Sequence, residues 1–270
     1  MLRQFGVFVH DMEIEEIELK HVLFWFDLMK RYEWDRNSFI PKAIALVGYF
    51  RFFKKQGYNV LDPELIPVPD KIHKRPNIAT REQYELVLNA IPNNNDPRSI
   101  RNRLFLKMLW DTGARNGELL SLNLVDIDTD NNKAVIKTEK NKGTRPFREI
   151  YWTEETGEDL EAWLNKRAEL LQDRKQVEAL FISATGLKVG KRLTLSGSCE
   201  MLRKVSRKAG LDKTLNAHSF RHRKGRYIAS SGGGVSDVAN VLGHASYLSS
   251  KPYLDLWGKD NEDKAREFLD

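Results

Sequence analysis

One cysteine, Cys199, occurs in the 270 residues of this chain. An internal disulfide is therefore excluded, and so is a cysteine-built metal site. No apolar run approaches the ~18 residues that a membrane helix needs, so no membrane partner is expected. The opening Met1 to His10 has one arginine and no apolar stretch leading to a small-residue cleavage site, which argues against a secretory signal. Internal repeats and low-complexity tracts are lacking as well. These absences make a reducing, cytoplasmic setting the expectation.

Hydrophobic residues make up 41% of the chain and aromatics 10%, enough for packed cores and too many for wholesale disorder. The length suits two small domains. Lys and Arg total 44 against 38 Asp and Glu, a net charge of +6. That surplus permits a polyanionic partner without requiring one, so the placement of the charges matters more than their sum.

The first seventy residues read as helical. Ile17, Leu19, Val22, Leu23, Trp25, Phe26 and Leu28 recur at helical spacing between Glu15 and Arg31. A second helix is predicted from Ile40 to Lys55, with Ala45, Leu46, Tyr49, Phe52 and Phe53 inside and Gly57 just past its end. Trp25, Phe26, Phe52 and Phe53 read as core. Pro67, Pro69 and Pro76, with Lys71, Lys74 and Arg75 among them, mark an extended linker over 66–78. Thr80 and Gln83 have capping-box spacing, which starts a new helix. Further helices are predicted over Ser99 to Thr112, from Asn116, and from Glu154 onward. Between them the period changes. Lys133 to Thr138 and Arg145 to Trp152 alternate about the polar stretch Glu139 to Thr144, predicting a β-hairpin with a basic tip.

The positive charge is clustered. Arg203 to Arg226 contains nine Lys or Arg and one acid, Asp212. The hairpin adds Lys137, Lys140, Lys142, Arg145 and Arg148, and the linker adds Lys71, Lys74 and Arg75. Three such clusters can line one phosphate-tracking path, so nucleic acid is the expected partner, with Lys71, Lys74, Arg75, Lys142, Arg145, Arg223 and Lys224 among its contacts.

Four strings follow in order: Thr112-Gly113-Ala114-Arg115-Asn116-Gly117-Glu118, the basic hairpin, His218-Ser219-Phe220-Arg221, and Leu242-Gly243-His244 with Tyr253 nine residues past the histidine. Each string alone is weak; their order and spacing together are specific. The chain resembles the tyrosine recombinase (phage integrase) family over essentially its whole length. The resemblance implies a mainly α fold with a small antiparallel β-sheet. It implies a helical, DNA-clamping core-binding domain over 1–65, a linker over 66–78 and an α+β catalytic domain over 79–270.

The chemistry suits these residues. Phosphodiester cleavage spreads negative charge over phosphoryl oxygens, and guanidinium groups match that geometry. Arg115 and Arg221 form the expected clamp, both near helix starts. His218, one helical turn before Arg221, can donate to the phosphate or move a proton. Gly243 is expected to end a helix over 236–242 and present His244 as another donor. Glu118 reads as a buttress. Tyr253, favoured by spacing over Tyr247 and Tyr227, is the expected nucleophile; a phenol of pKa ~10 needs positive neighbours to attack at neutral pH.

The resemblance further implies a 3′-phosphotyrosine, a released 5′ hydroxyl and a hairpin lysine as general acid. Lys140 fits the family spacing to Arg145 best, with Lys142 second. The covalent link stores the bond energy, so no nucleotide cofactor is expected. No metal is expected either, since the nearby acids show no two-metal pattern. By the same resemblance four protomers would act on two DNA sites, with Trp257, Phe268 and Leu269 of the carboxy-terminal tail as anchors. Two features depart from the family: the segment before Glu13 is short, as in a short amino terminus or a piece of a longer chain, and Gly232 to Gly234 is looser than the usual single glycine. The rivals are a type IB topoisomerase, which relaxes DNA without exchanging it, and a DNA-binding protein without catalysis.

Overall fold

The computed structural model describes residues 2–10, 12–32, 36–70, 76–138, 147–172 and 176–243, and divides the chain into two compact units, Met1–Arg75 and Pro76–Asp270.

The first unit is helical: α1 (Leu2–Phe8), α2 (Leu19–Arg31) and α3 (Arg36–Lys55). α2 starts later than the apolar spacing predicts. A 3-10 turn at Ile14–Glu16 and extended backbone at Ile17 precede it, and the Glu18 N–H donates to His21 Nδ1 at 3.0 Å to open the helix. Val22, Trp25, Phe26 and Met29 form its buried stripe at three- and four-residue steps. α3 instead begins before the expected Ile40 and carries Pro41 inside. Its buried stripe is Phe39, Ala43, Leu46 and Phe50, and Phe52, expected in the core, is 58% exposed. The predicted stripe was rotated about the helix axis: the run from Tyr49 to Phe53 is nearly all aromatic, so periodicity alone could not choose its inner face. Phe5 meets Trp25 edge-on at 5.1 Å, and Phe26 meets Phe39 at 4.4 Å.

The second unit is built around a buried helix. α4 (Arg81–Ala90) opens on the predicted box, with Thr80 Oγ1 accepting from the Gln83 N–H and Gln83 Oε1 accepting from the Thr80 N–H. α5 (Pro97–Thr112) follows, capped by Asp96 with Pro97 in its first turn. Leu104, Phe105, Leu106, Met108 and Leu109 are all buried, so α5 is apolar around most of its circumference rather than amphipathic. Its buried Lys107 is held by Glu155 at 2.7 Å and Asp159 at 2.8 Å. The short α6 (Asn116–Ser121) comes next.

A sheet of three antiparallel strands follows: β1 (Ile127–Asp128), β2 (Lys133–Lys137) and β3 (Phe147–Tyr151), in the order β1-β2-β3. The two predicted strands pair as expected, the basic tip lies outside the described residues, and β1 is an addition. Ala134 pairs with Ile150, and Ile136 with Arg148, which together make up the inward face. α7 (Glu154–Leu171) and α9 (Ala217–Ser230) pack on α5, and α6 packs on β2. α8 (Leu195–Lys208) and α10 (Val235–Leu242) complete the unit. No described helix is long and apolar enough to cross a membrane.

Candidate active site

α5 ends where Gly113 takes a left-handed conformation, φ 60°, and its N–H closes on the Leu109 carbonyl. A side chain at Gly113 would meet Lys224 Cβ at 2.7 Å, so both the backbone and the space call for glycine. The turn delivers Arg115 to the start of α6. Its backbone N–H donates to Glu118 Oε2 at 2.8 Å, and its Nη1 donates to Glu118 Oε1 at 2.7 Å. Arg148 Nη2, from β3, donates to Glu118 Oε2 at 2.8 Å. Glu118 is fully buried and thus accepts from two guanidinium groups and one amide. Breaking a buried network of this kind by removing one partner costs about 3–5 kcal/mol.

A second turn closes over the first. α10 ends at Gly243, left-handed with φ 65°, as its place after Leu242 predicts. Arg221 reaches out of α9 and ties the two turns together: its Nη1 donates to the Gly113 carbonyl at 3.1 Å and its Nη2 to the Leu242 carbonyl. Both Nη atoms of Arg115 lie 3.4 Å from the Gly243 carbonyl. Two arginines, Arg115 and Arg148, thus meet the Glu118 carboxylate, while Arg221 holds the carbonyls of Gly113 and Leu242 at the carboxyl end of α10, where helix carbonyls attract cations. The surplus of positive charge suits an anion.

His218 stays exposed on the first turn of α9, which Asn216 caps through the Ser219 N–H at 3.1 Å. It shares a cleft of about 540 Å³ with Arg115, Asn116 and Arg192. The expected common aim of His218 and Arg221 is met in part: Arg221 is buried beneath the turns, while His218 lines the cleft. Behind His218, burial lowers the His222 pKa, reinforced by His218 and Arg221.

Arg223 lies over the Trp110 ring at 3.8 Å, on the far side of a Tyr84–Trp110 stack of 4.2 Å. Burial also lowers the Lys224 amine from the usual lysine range, with Arg223 adding to the effect. Cys199 is exposed, its sulfur 3.5 Å from the Asn116 amide nitrogen. Lys71, Lys74, Arg75, Lys140, Lys142, Arg145, His244, Tyr247, Tyr253, Trp257, Phe268 and Leu269 lie outside the described residues. No metal-holding group of His, Cys, Asp and Glu occurs among the described residues.

The sequence alone marks Arg148 only as one basic residue of the hairpin. Strand alternation carried the missing signal: Arg148 is two residues from Ile150 and so shares the inward face. An arginine aimed inward needs a buried acceptor, and Glu118 is that acceptor.

Residues 78–257 match the model of the phage integrase family. Tyrosine recombinase XerC of Alcanivorax borkumensis is 29% identical over 213 residues, covering 78% of this chain and 66% of that protein. Tyrosine recombinase XerD of Halalkalibacterium halodurans is 27% identical over 216 residues, covering 79% of this chain and 69% of that protein. The chain thus spans about two thirds of the length of these relatives. Among solved structures, the XerH site-specific recombinase bound to a palindromic difH substrate superposes with a TM-score of 0.71 at 22% identity, covering 98% of this chain and 76% of that one. The fold agrees with that likeness and the ordered Arg, His-x-x-Arg and Leu-Gly-His strings fall within the matched stretch, so the chain belongs to the phage integrase family, that of the tyrosine recombinases.

Proposed function

We propose that this chain cleaves and rejoins double-stranded DNA at specific sites through a covalent tyrosine intermediate. The observation that carries the reading is the meeting of Arg115, Arg221 and Arg148 around Glu118 and the Leu242–Gly243 turn, next to the cleft that holds His218. Such a set of fixed donors stabilises the charge that builds on phosphoryl oxygens, and being part of the fold it needs no reorganisation during the reaction.

Tyr253 Oη attacks the phosphorus as its proton passes to solvent water, and the bond to the 5′ oxygen breaks. Arg115, Arg221, His218 and His244 hold the phosphoryl oxygens, and Lys140 protonates the departing 5′ oxygen. A 5′ hydroxyl from the second duplex then attacks the phosphotyrosine and restores the phenol. Glu118 acts by holding Arg115. Lys71, Lys74, Arg75, Lys142, Arg145, Arg223 and Lys224 contribute DNA contacts, and the amino-terminal helical unit serves as the clamp. Four protomers on two sites form the working assembly, joined through the carboxy-terminal tail, in a nucleoid-associated cytoplasmic setting.

Exchange is favoured over topoisomerase-like relaxation because the relatives are recombinases by name. A supercoiled plasmid with two copies of the DNA flanking the gene tests this. Recombinant circles dependent on both copies are expected, whereas relaxation of a one-copy plasmid without exchange would establish the topoisomerase reading.

Lys140→Ala is expected to slow cleavage about 10²–10⁴-fold, the usual worth of a general acid. A substrate with sulfur at the bridging 5′ position needs no proton on departure and should restore the rate. If that substrate rescues Lys142→Ala instead, Lys142 is the acid.

A further inference from the structure

The inward face of β3 should carry apolar side chains, because it pairs across to Ile136 and Ala134 in the core. Arg148 breaks that rule. Its side chain is only 9% exposed, and its Nε and Nη1 are buried with no hydrogen-bond partner among the described residues. A buried donor left unpaired costs about 1–3 kcal/mol, and burying the guanidinium costs more. Stability alone would tolerate hydrophobic residues of similar volume in place of Arg148 and its buried partner together.

We infer that Arg148 is a positioning residue for DNA cleavage: it holds the Glu118 carboxylate, and through it Arg115, and it floors the Gly243 turn that leads into His244. The inference rests on the recombinase reading above.

The geometry divides the work. Glu118 Oε1 takes Arg115 Nη1, while Oε2 takes the Arg115 amide and Arg148 Nη2. The Arg148 bond fixes the carboxylate plane from the strand side, and so fixes the fork of Arg115. Arg148 also shares the negative charge of Glu118, which would otherwise be answered by Arg115 alone. That leaves more of the Arg115 charge for a phosphate.

The second contact is steric. A Cβ on Gly243 would fall 2.4 Å from Arg148 Nε, so the guanidinium lies directly against this turn. Gly243 also offers its carbonyl to Arg115 at 3.4 Å. One side chain thereby supports both a phosphate-binding arginine and the segment preceding His244. Burial, reinforced by Arg115, leaves the Arg148 pKa below the usual arginine range, and Glu118 is the group that opposes this.

The test uses the full chain and a nicked suicide substrate built from the flanking DNA, read as single-turnover adduct formation beside noncovalent binding. Arg148→Met keeps the volume opposite Ile136 but removes one partner of the buried Glu118, so it should melt lower than wild type, and cleavage is compared at a temperature where both are folded. There its cleavage should slow about tenfold to a hundredfold, the scale expected when a reacting group is displaced by a fraction of an ångström to an ångström. Its DNA affinity should stay within about twofold, since Arg148 is buried. Arg148→Lys should recover part of the rate. Because Arg148 acts through Glu118, the Glu118→Gln, Arg148→Met double variant should be no slower than the slower single variant.

Wild-type cleavage by Arg148→Met would overturn the inference and leave the recombinase reading intact. So would a rate loss matched by lost DNA affinity, or multiplicative losses in the double variant. Should Arg148→Met fail to fold, Arg148→Lys decides: an unchanged rate overturns the inference and a lowered rate with unchanged affinity supports it. A wild-type chain that binds this DNA and forms no adduct overturns the recombinase reading, and the inference with it.

Discussion

Tyr253→Phe should bind DNA as wild type does and form no covalent adduct with it. The substitution removes one oxygen, the proposed nucleophile, and keeps the ring. Loss of a nucleophile is not compensated by the rest of a site, so adduct formation should fall on the order of 10⁴-fold or more. The suicide substrate measures this directly, as a protein–DNA band resistant to denaturation. Tyr227→Phe is the control within the described residues: Tyr227 is exposed on α9, with Arg223 5.0 Å from its ring centre, and should still give adduct. Tyr247→Phe is the second control. An adduct that survives Tyr253→Phe and disappears in either control moves the nucleophile. In the proposed site, positive charge at the phosphate would let a phenol serve. Its ordinary pKa of ~10 leaves little phenolate at neutral pH, and guanidinium groups beside the attacked phosphate favour the anion as it forms.

Arg221→Ala should damage both chemistry and fold. Removing one preorganised donor from developing phosphoryl charge costs about 10²–10³ in rate. The same side chain donates to the carbonyls of Gly113 and Leu242, which belong to the two turns that build the site. Hydrogen bonds from a charged group are worth about 1.5–3 kcal/mol, and alanine leaves the carbonyls without them. The melting temperature should therefore fall by several degrees, at roughly 2–4 °C per kcal/mol for a domain of this size. Arg221→Lys keeps the charge but cannot span both carbonyls, so it should melt between the two and cleave slowly. A variant that cleaves slowly with unchanged melting would limit Arg221 to the phosphate. Lower melting with unchanged single-turnover cleavage would limit it to the scaffold.

The two effects share a cause that the sequence could not display. The sequence marks Arg221 as an expected phosphate ligand because it stands three residues after His218 in a recognisable string. Its role as a strut between turns depends on which carbonyls lie within reach, and Gly113 is 108 positions away along the chain. Arg223 makes the same point: the sequence offered it as one positive charge in a basic run, and the fold lays it over Trp110.

Local physics determined what a short window of sequence can hold. The box at Thr80 and Gln83, the caps at Gly113 and Gly243, the hairpin strands and the spacing of Arg115 to Glu118 all involve neighbours a few residues apart, where propensity and hydrogen-bond reach decide. The inner face of α3 and the added strand β1 were settled only by packing, since an aromatic-rich helix offers several plausible faces and a two-residue strand has no periodicity. The site follows the same division. The sequence alone named Arg115, Glu118, His218 and Arg221; only the tertiary structure brought Arg148 onto Glu118, because a buried charge is placed by the acceptor it finds across the fold and not by its neighbours in the chain.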